Sequence, residues 1–589
     1  MRPPLVPIGA ILLLAASFHS AAAQSPQFVP AFPLYCAGPL TTGAPSGGET
    51  TTPFQWASVG AGAANPAPGQ CVWADRGPRG SEILPGGGNV ICDFSGAMRS
   101  VPAGTFVEVG VARDPLVNNC MHLARYLGSV SPPFSAVPAL SPFVRPSVAG
   151  LSPAQIASLR RGIQVMMSRP VTDPTSYRFQ ANIHGTTDSP TTTAQMQTWN
   201  QCEHASFYFL SWHRMYLYFF DRILRAASGD SNLVLPYWNW TDPAQRSLPI
   251  PFRQPADSSN PLFTGGRPPA LNAGTASLAA STVDDSVAFA DVNFETGGSF
   301  SGNGFGGQTS TPMQFDSASG DLELQPHNVV HSALGGLMGN PLTAAQDPIF
   351  WLHHANIDRL WNRWLQQDKG RADPTDTAWL NTTFTFFDEA GHAVFLTGAE
   401  VVDTVGQLNY RSDDDVALHL AEVASQILAE GPVAGGEAPI TLAATPVRVQ
   451  IPLTEAARGN LRNLAREPAR KMFLRIDDIR TEKPPNFYYE IYLDPPAGQQ
   501  FDSHTPGFVG NLSLFSLVPH RMPGGEPMTG DVFVDYDISP LVGLILDRNP
   551  DEVSVVLVPQ SGLVGPDGKP LPVVPETAGT LGKMRLIER

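Results

Sequence analysis

Apolar residues recur at helical spacing in four places between residues 150 and 370. In LSPAQIASLRRGIQVMMSRP, Ile156, Leu159, Ile163 and Met166 or Met167 fall on one face. Ser152 stands at the N-cap position and Pro153 at the first helical one, so this stretch predicts an amphipathic helix with a defined start. Similar patterns run from about His204 to Ala227, from about His327, and from about Phe350 through IDRLWNRWLQQD. Four such helices predict a mainly α domain built as a four-helix bundle, an architecture whose core takes metal sites from facing helices. Residues 255–320 are rich in Gly, Ser and Asn and read as an irregular excursion between helix pairs.

The period changes after residue 445. PVRVQIPL, KMFLRIDDI, NFYYEIYL, FVGNLSLFSLV, DVFVDYDI, VSVVLVPQ and KMRLIER are short alternating or apolar runs parted by Pro/Gly turns, which predicts an all-β sandwich over 446–589. Before it, SDDD opens a further helical pattern over 412–430, with acids at the positive helix end, and EGPVAGGEAP begins a linker up to residue 445. Residues 24–135 are rich in Gly, Pro, Ala and Thr, with β-like pieces such as VICDF and TFVEVGVA. The boundaries are therefore 1–23, 24–135, 136–411, 412–445 and 446–589, since 589 residues are too many for one core.

Composition narrows the class. Hydrophobic residues at 42% and charged ones at 15% describe a globular chain. A net charge of −16 argues against nucleic-acid binding, which rests on clustered Lys and Arg. MRPPLVPIGAILLLAASFHSAAAQ has a basic start, a short apolar run and Ala21-Ala22-Ala23, the pattern of a secretory signal peptide cleaved near Ala23. Its apolar run is too short to span a bilayer, and no later segment is long and apolar enough, so the expectation is a secreted or periplasmic protein without a membrane partner. Export permits disulfides. Cys36, Cys71, Cys92 and Cys120 can close two bridges by any of three pairings, predicting a small stapled N-terminal region, and Cys202 is left over.

Seven of the thirteen histidines sit in two windows, 184–213 and 327–354. His327 and His331 are four apart and share a helix face, while His353 and His354 follow on a separate helix. Nine residues separate His204 from His213, which places them on opposite faces of an ideal helix; His204 therefore belongs to the loop leading in. All-imidazole ligation suits copper, zinc, iron or nickel. Two three-histidine sets facing each other suit a coupled binuclear centre in which each metal keeps an open position.

FQANIHG, CEHASFYFLSWHRMYLYFFDRIL, LPYWNW, LELQPHNVVHSALGGLM and DPIFWLHHANIDRLW, with the Arg145 region and GQLNY ending at Tyr410, span roughly residues 140–410. In that order they resemble the tyrosinase and polyphenol oxidase (catechol oxidase) family of coupled binuclear type 3 copper proteins, in a bacterial variant with a C-terminal domain. The resemblance implies two copper ions per chain, CuA at His184, His204 and His213 and CuB at His327, His331 and His354. His353 is then the neighbour that does not ligate. It also implies dioxygen as co-substrate, small phenols as substrates, and a thioether joining Cys202 to His204 that consumes the odd thiol. His184-Gly185 departs from the plant pattern, which has a cysteine just after the first CuA histidine.

By the same resemblance Glu323 positions a water and Asn328 orients it, a general base for a phenol whose pKa lies near 10. Ser332 and Pro341 would border the entrance, and Asp358 is a candidate partner behind the ligands. Phe207, Phe209, Trp212, Phe350 and Trp351 read as bundle core. FYYEIYLDPPAG and FVGNLSLFSLVPH resemble the C-terminal domain of plant polyphenol oxidases, which caps the copper site and is removed on activation. The implied function is a secreted, latent oxidase that ortho-hydroxylates monophenols and oxidises o-diphenols to o-quinones. A catechol or o-aminophenol oxidase without monophenolase activity, and a hemocyanin-like dioxygen carrier that never turns over catechol, are the alternatives.

Overall fold

Helix ends follow local chemistry. In α1 (Pro153–Ser168) the Ser152 side chain accepts from the Gln155 backbone N–H while the Gln155 side chain accepts from that of Ser152, a reciprocal cap. The next helix, α2 (Tyr177–His184), is capped by Ser176, whose Oγ accepts from Phe179 N at 3.1 Å. Then comes α3 (Phe209–Ser228), which stops where Gly229 turns left-handed at φ 67°. Glu323–His327 forms a wide turn broken at Gln325, where Pro326 offers no N–H to continue a helix, and leads into α4 (Asn328–Leu334). Finally, α5 (Ile349–Leu365) is buried over most of its length.

This computed structural model describes residues 142–415 and 431–588 apart from short internal stretches, and before residue 142 only the backbone of strands between Gln27 and Gly128. Residues 1–23 and 416–430, read as a signal peptide and a helix, lie outside the described residues. So do the side chains of Cys36, Cys71, Cys92 and Cys120, and no disulfide occurs among the described residues, where Cys202 is a free buried thiol. The N-terminal strands nevertheless set Cys36 opposite Cys120 and Cys71 opposite Cys92 in antiparallel register. By packing, the chain forms two units. One gathers Met1–Val144, Tyr218–Ile223 and Thr375–Arg411; the other gathers Arg145–Leu217, Leu224–Pro374 and Ser412–Arg589.

In the second unit, the close approach of α1 to α3 depends on Gly162, where a Cβ would lie 2.9 Å from the Leu224 carbonyl oxygen. A buried ion triad ties α3 to α5. Arg214 Nε donates to Asp358 at 2.6 Å, Arg145 Nη1 donates to its other oxygen at 2.8 Å, and the Arg214 guanidinium lies 3.5 Å from the Trp361 ring centre. Asp358 is thus a scaffold residue.

All seven strands expected in the C-terminal region are present and, with Gly431–Gly435 as an eighth, form two four-stranded sheets. One has the order Gly431–Gly435, Lys583–Glu588, Met472–Asp477, Phe533–Asp537; the other has Val447–Pro452, Glu552–Gln560, Tyr488–Leu493, Phe508–Leu512. Leu474, Ile476 and Leu586 from the first sheet and Ile491, Val553 and Val555 from the second share one apolar cluster. The expected linker is a correction. Gly431–Gly435 pairs with Lys583–Glu588 and Ile440–Ala443 with Thr577–Leu581. A Gly/Pro/Ala-rich stretch has little to bury, yet its backbone satisfies the open edge of a sheet. Ser412, expected to open a helix, instead ends the strand Tyr410–Ser412.

Candidate metal centre

His184 is the last residue of α2, His204 lies on the loop before α3, and His213 is inside α3. With Cys202 these residues bring their donor atoms within 4.8 Å of one another, all buried. His327 closes the wide turn, His331 is on α4, and His353 and His354 are on α5; their donor atoms gather equally closely. The two groups adjoin, for the His213 and His354 rings stack with centroids 4.4 Å apart. The structure thus assembles all six imidazoles singled out from the sequence. His184 is carried by α2, a short helix that no periodic pattern marked in the sequence.

Backbone and side-chain acceptors fix the orientation of four rings. Nδ1 of His184 faces Pro341 O at 2.9 Å, that of His213 faces Phe209 O at 2.8 Å, that of His331 faces Met338 O at 2.8 Å, and that of His327 faces Asn328 Oδ1 at 2.9 Å. Carbonyl oxygens only accept, so each Nδ1 carries the proton and each Nε2 offers a lone pair. Gly185 permits the first of these contacts, because a Cβ there would sit 2.6 Å from Pro341 O. Burial pushes His213, His327, His331 and His354 well below the usual imidazole range, which keeps them neutral as metal ligands must be. His354 Nε2 lies 3.2 Å from His331 Nε2 and 3.4 Å from His327 Nε2. Two lone pairs converging on a third nitrogen are repulsive unless a proton or cation sits among them, and a cation fits this donor set.

Glu323 is fully buried, and its Oε1 accepts the backbone N–H of Ala205 at 2.8 Å. Ala205 has φ 48°, unusual for a side chain with a Cβ, so this carboxyl also holds the strained loop that presents His204. Burial raises Glu323 to about 8, with the charge of Glu203 adding to the effect. Glu203, itself buried, was not singled out from the sequence, where it reads as an ordinary acid between Cys202 and His204. The Cys202 thiol is likewise pushed up, first by burial and then by Glu203 and Glu323.

The sandwich reaches into this centre. Phe515 lies flat on His331, with ring centroids 3.9 Å apart and 9° between planes. Asn328 Nδ2 donates to Ser516 Oγ at 2.8 Å, Ser513 Oγ donates to Asn328 O at 3.0 Å, and Ser332 and Ser513 hydroxyls meet at 2.8 Å. Ser332 is therefore covered, and Pro341 is buried with its carbonyl holding His184. The five aromatics read as core are buried, but Phe209 and Phe350 also pack directly on ligand candidates, Phe350 at 4.1 Å from His354 and Phe209 at 4.6 Å from His213. Phe515 carried no sequence signal, since an aromatic in a strand-rich run looks like core.

Three family models match successive parts of the chain. The common central domain of tyrosinase matches residues 174–308 and 298–367, a polyphenol oxidase middle domain matches 373–421, and a domain of unknown function matches 430–565. Tyrosinase HcTyr1 of Hahella sp. (strain CCB-MM4) is 31% identical over 444 residues, 68% of this chain and 92% of that protein. A chloroplastic polyphenol oxidase of Vitis vinifera is 33% identical over 300 residues, 46% of this chain and 47% of its own length. Among solved structures, latent apple tyrosinase shares the fold with a TM-score of 0.50 at 21% identity, covering 76% of this chain and 97% of that one.

Proposed function

The chain belongs to the tyrosinase family of type 3 copper proteins, an oxidoreductase family with two copper ions and dioxygen as co-substrate, and from that premise we propose an exported, latent polyphenol oxidase. It hydroxylates monophenols at the ortho position and oxidises o-diphenols to o-quinones. His184, His204 and His213 hold one ion, and His327, His331 and His354 hold the other. When bound, the copper pair supplies the two electrons that activate dioxygen, which redox-silent zinc would not. Export rests on the N-terminal residues 1–23. Among the described residues no helix is long and apolar enough to cross a membrane.

The remaining chemistry is proton handling. A phenol with pKa near 10 must lose its proton to bind as phenolate, and Glu323, raised to about 8 by burial, is the carboxyl poised to take it through a water. Bound cations nearby draw that value down, toward a working base at neutral pH. Asn328 would orient the water, but its Nδ2 is engaged by Ser516. The observation that carries latency is the Phe515 stack, which occupies the face of a CuB imidazole that an aromatic substrate needs.

Activated enzyme carrying Asn328→Gly tests the base. Tyramine hydroxylation should fall by about tenfold or more, against a smaller loss on catechol, because only the monophenol needs the stronger base. Equal losses on both substrates would contradict this role.

A further inference from the structure

Four buried imidazoles, not three, stand close enough to serve CuB. His353 is as near its neighbours as His354 is: its ring centroid lies 4.7 Å from His331 and 5.3 Å from His327, where that of His354 lies 5.4 Å and 4.8 Å away. Donor type and distance therefore do not say which of the adjacent pair binds the ion. A four-imidazole ion would lose the open position that dioxygen and phenol require.

Hydrogen-bond polarity separates them. Around His327 and His331 the group facing Nδ1 is an oxygen that accepts, which leaves Nε2 with its lone pair. At His353 the sense is reversed. Trp240 Nε1 lies 3.1 Å from His353 Nδ1, and an indole N–H can only donate. The Nδ1 lone pair is thereby engaged. A neutral imidazole must then carry its proton on Nε2, which has no hydrogen-bond partner among the described residues. Turning the ring to ligate would strand a fully buried indole N–H, which the packing does not compensate.

We propose that Trp240 is a positioning residue that keeps CuB three-coordinate: its indole N–H donates to His353 Nδ1, which places that ring's proton on Nε2 and leaves His353 no free lone pair for copper. The LPYWNW motif thereby acquires a role at the centre, set by backbone that runs alongside α5 (Trp238 N donates to Leu352 O at 3.1 Å). This inference rests on the di-copper reading above, but its first test does not.

Nitrogen NMR of the copper-free protein reads the tautomer directly. His353 should carry its proton on Nε2; a proton on Nδ1 would overturn the proposal, whatever the protein's activity. The copper-loaded protein gives the second test, through Trp240→Phe, His353→Phe and the double variant. His353→Phe should keep two coppers per chain and release them to a chelator at the parent rate. Trp240→Phe should also keep two, yet release CuB copper several-fold more slowly and bind oxygen more weakly when reduced, because His353 becomes free to ligate. The double variant should restore parent behaviour. Loss of a copper in His353→Phe, or parent-like release and oxygen affinity in Trp240→Phe, would each overturn the assignment. Failure to oxidise catechol with both coppers bound would instead count against the oxidase reading and leave the tautomer result standing.

Discussion

Cys202 places its Sγ 3.6 Å from His204 Nδ1 and 3.7 Å from Nε2, close against the imidazole ring. Burial and the acids Glu203 and Glu323 hold the thiol protonated, so it does not react as a nucleophile by itself. Joining the sulfur to a ring carbon in place of its hydrogen breaks one S–H and one C–H bond and releases two protons and two electrons, which dioxygen at a copper-loaded site would take up as it is reduced to the peroxide level. Mass spectrometry should therefore find Cys202 and His204 in one peptide pair, two hydrogens lighter than the sum, after copper loading in air but not in copper-free protein. An alkylatable Cys202 in active, copper-loaded enzyme would contradict the crosslink. The Cys-x-His spacing made this contact legible in the sequence, as the paired windows did for the seven clustered imidazoles. Trp240, Phe515 and Glu203 were not legible, because an aromatic in an apolar run and an acid in a loop carry no spacing that marks them apart from core or surface.

At the level of elements, strong periodicity translated directly. The helix starting at Ser152 and the strands after residue 445 stand where their patterns put them. The short helix α2 was invisible, since residues from Tyr177 to His184 are buried on almost every side and no polar face sets a period. The strand Gly431–Gly435 was invisible for the opposite reason: its backbone pairs while its composition signals a loop. Two predictions belong here. Asp358→Ala leaves two buried guanidinium groups without their counter-charge and should cost about 3–5 kcal/mol, read as a lowered unfolding midpoint of the copper-free protein; an unchanged midpoint would show that the triad does not tie α3 to α5. The register of the N-terminal strands predicts Cys36–Cys120 and Cys71–Cys92 disulfides on non-reducing peptide mapping, and a crossed pairing would contradict that register.

For the whole molecule, the sandwich and the imidazole centre lie within one packed unit. Ala205 and Leu324, beside the metal ligands, belong to the same apolar cluster as the sandwich interior. Three groups from one short segment act together on the site: Phe515 on His331, Ser516 on the Asn328 amide, and Ser513 on Ser332. On the proposed reading, one body would block substrate access, the water-orienting amide and the entrance, and moving it should release all three at once. Because residues 431–443 are strands of the sandwich, a cut that frees it must fall before residue 431. The decisive measurement compares the rate of catechol oxidation per bound copper in the intact chain and in a chain ending near residue 420, with copper quantified in both. If the capped state holds about nine-tenths or more of the population, the shortened chain should keep two coppers and oxidise catechol about tenfold faster or more. Equal rates per copper would show that the sandwich does not restrain the site, and the account of latency would fall.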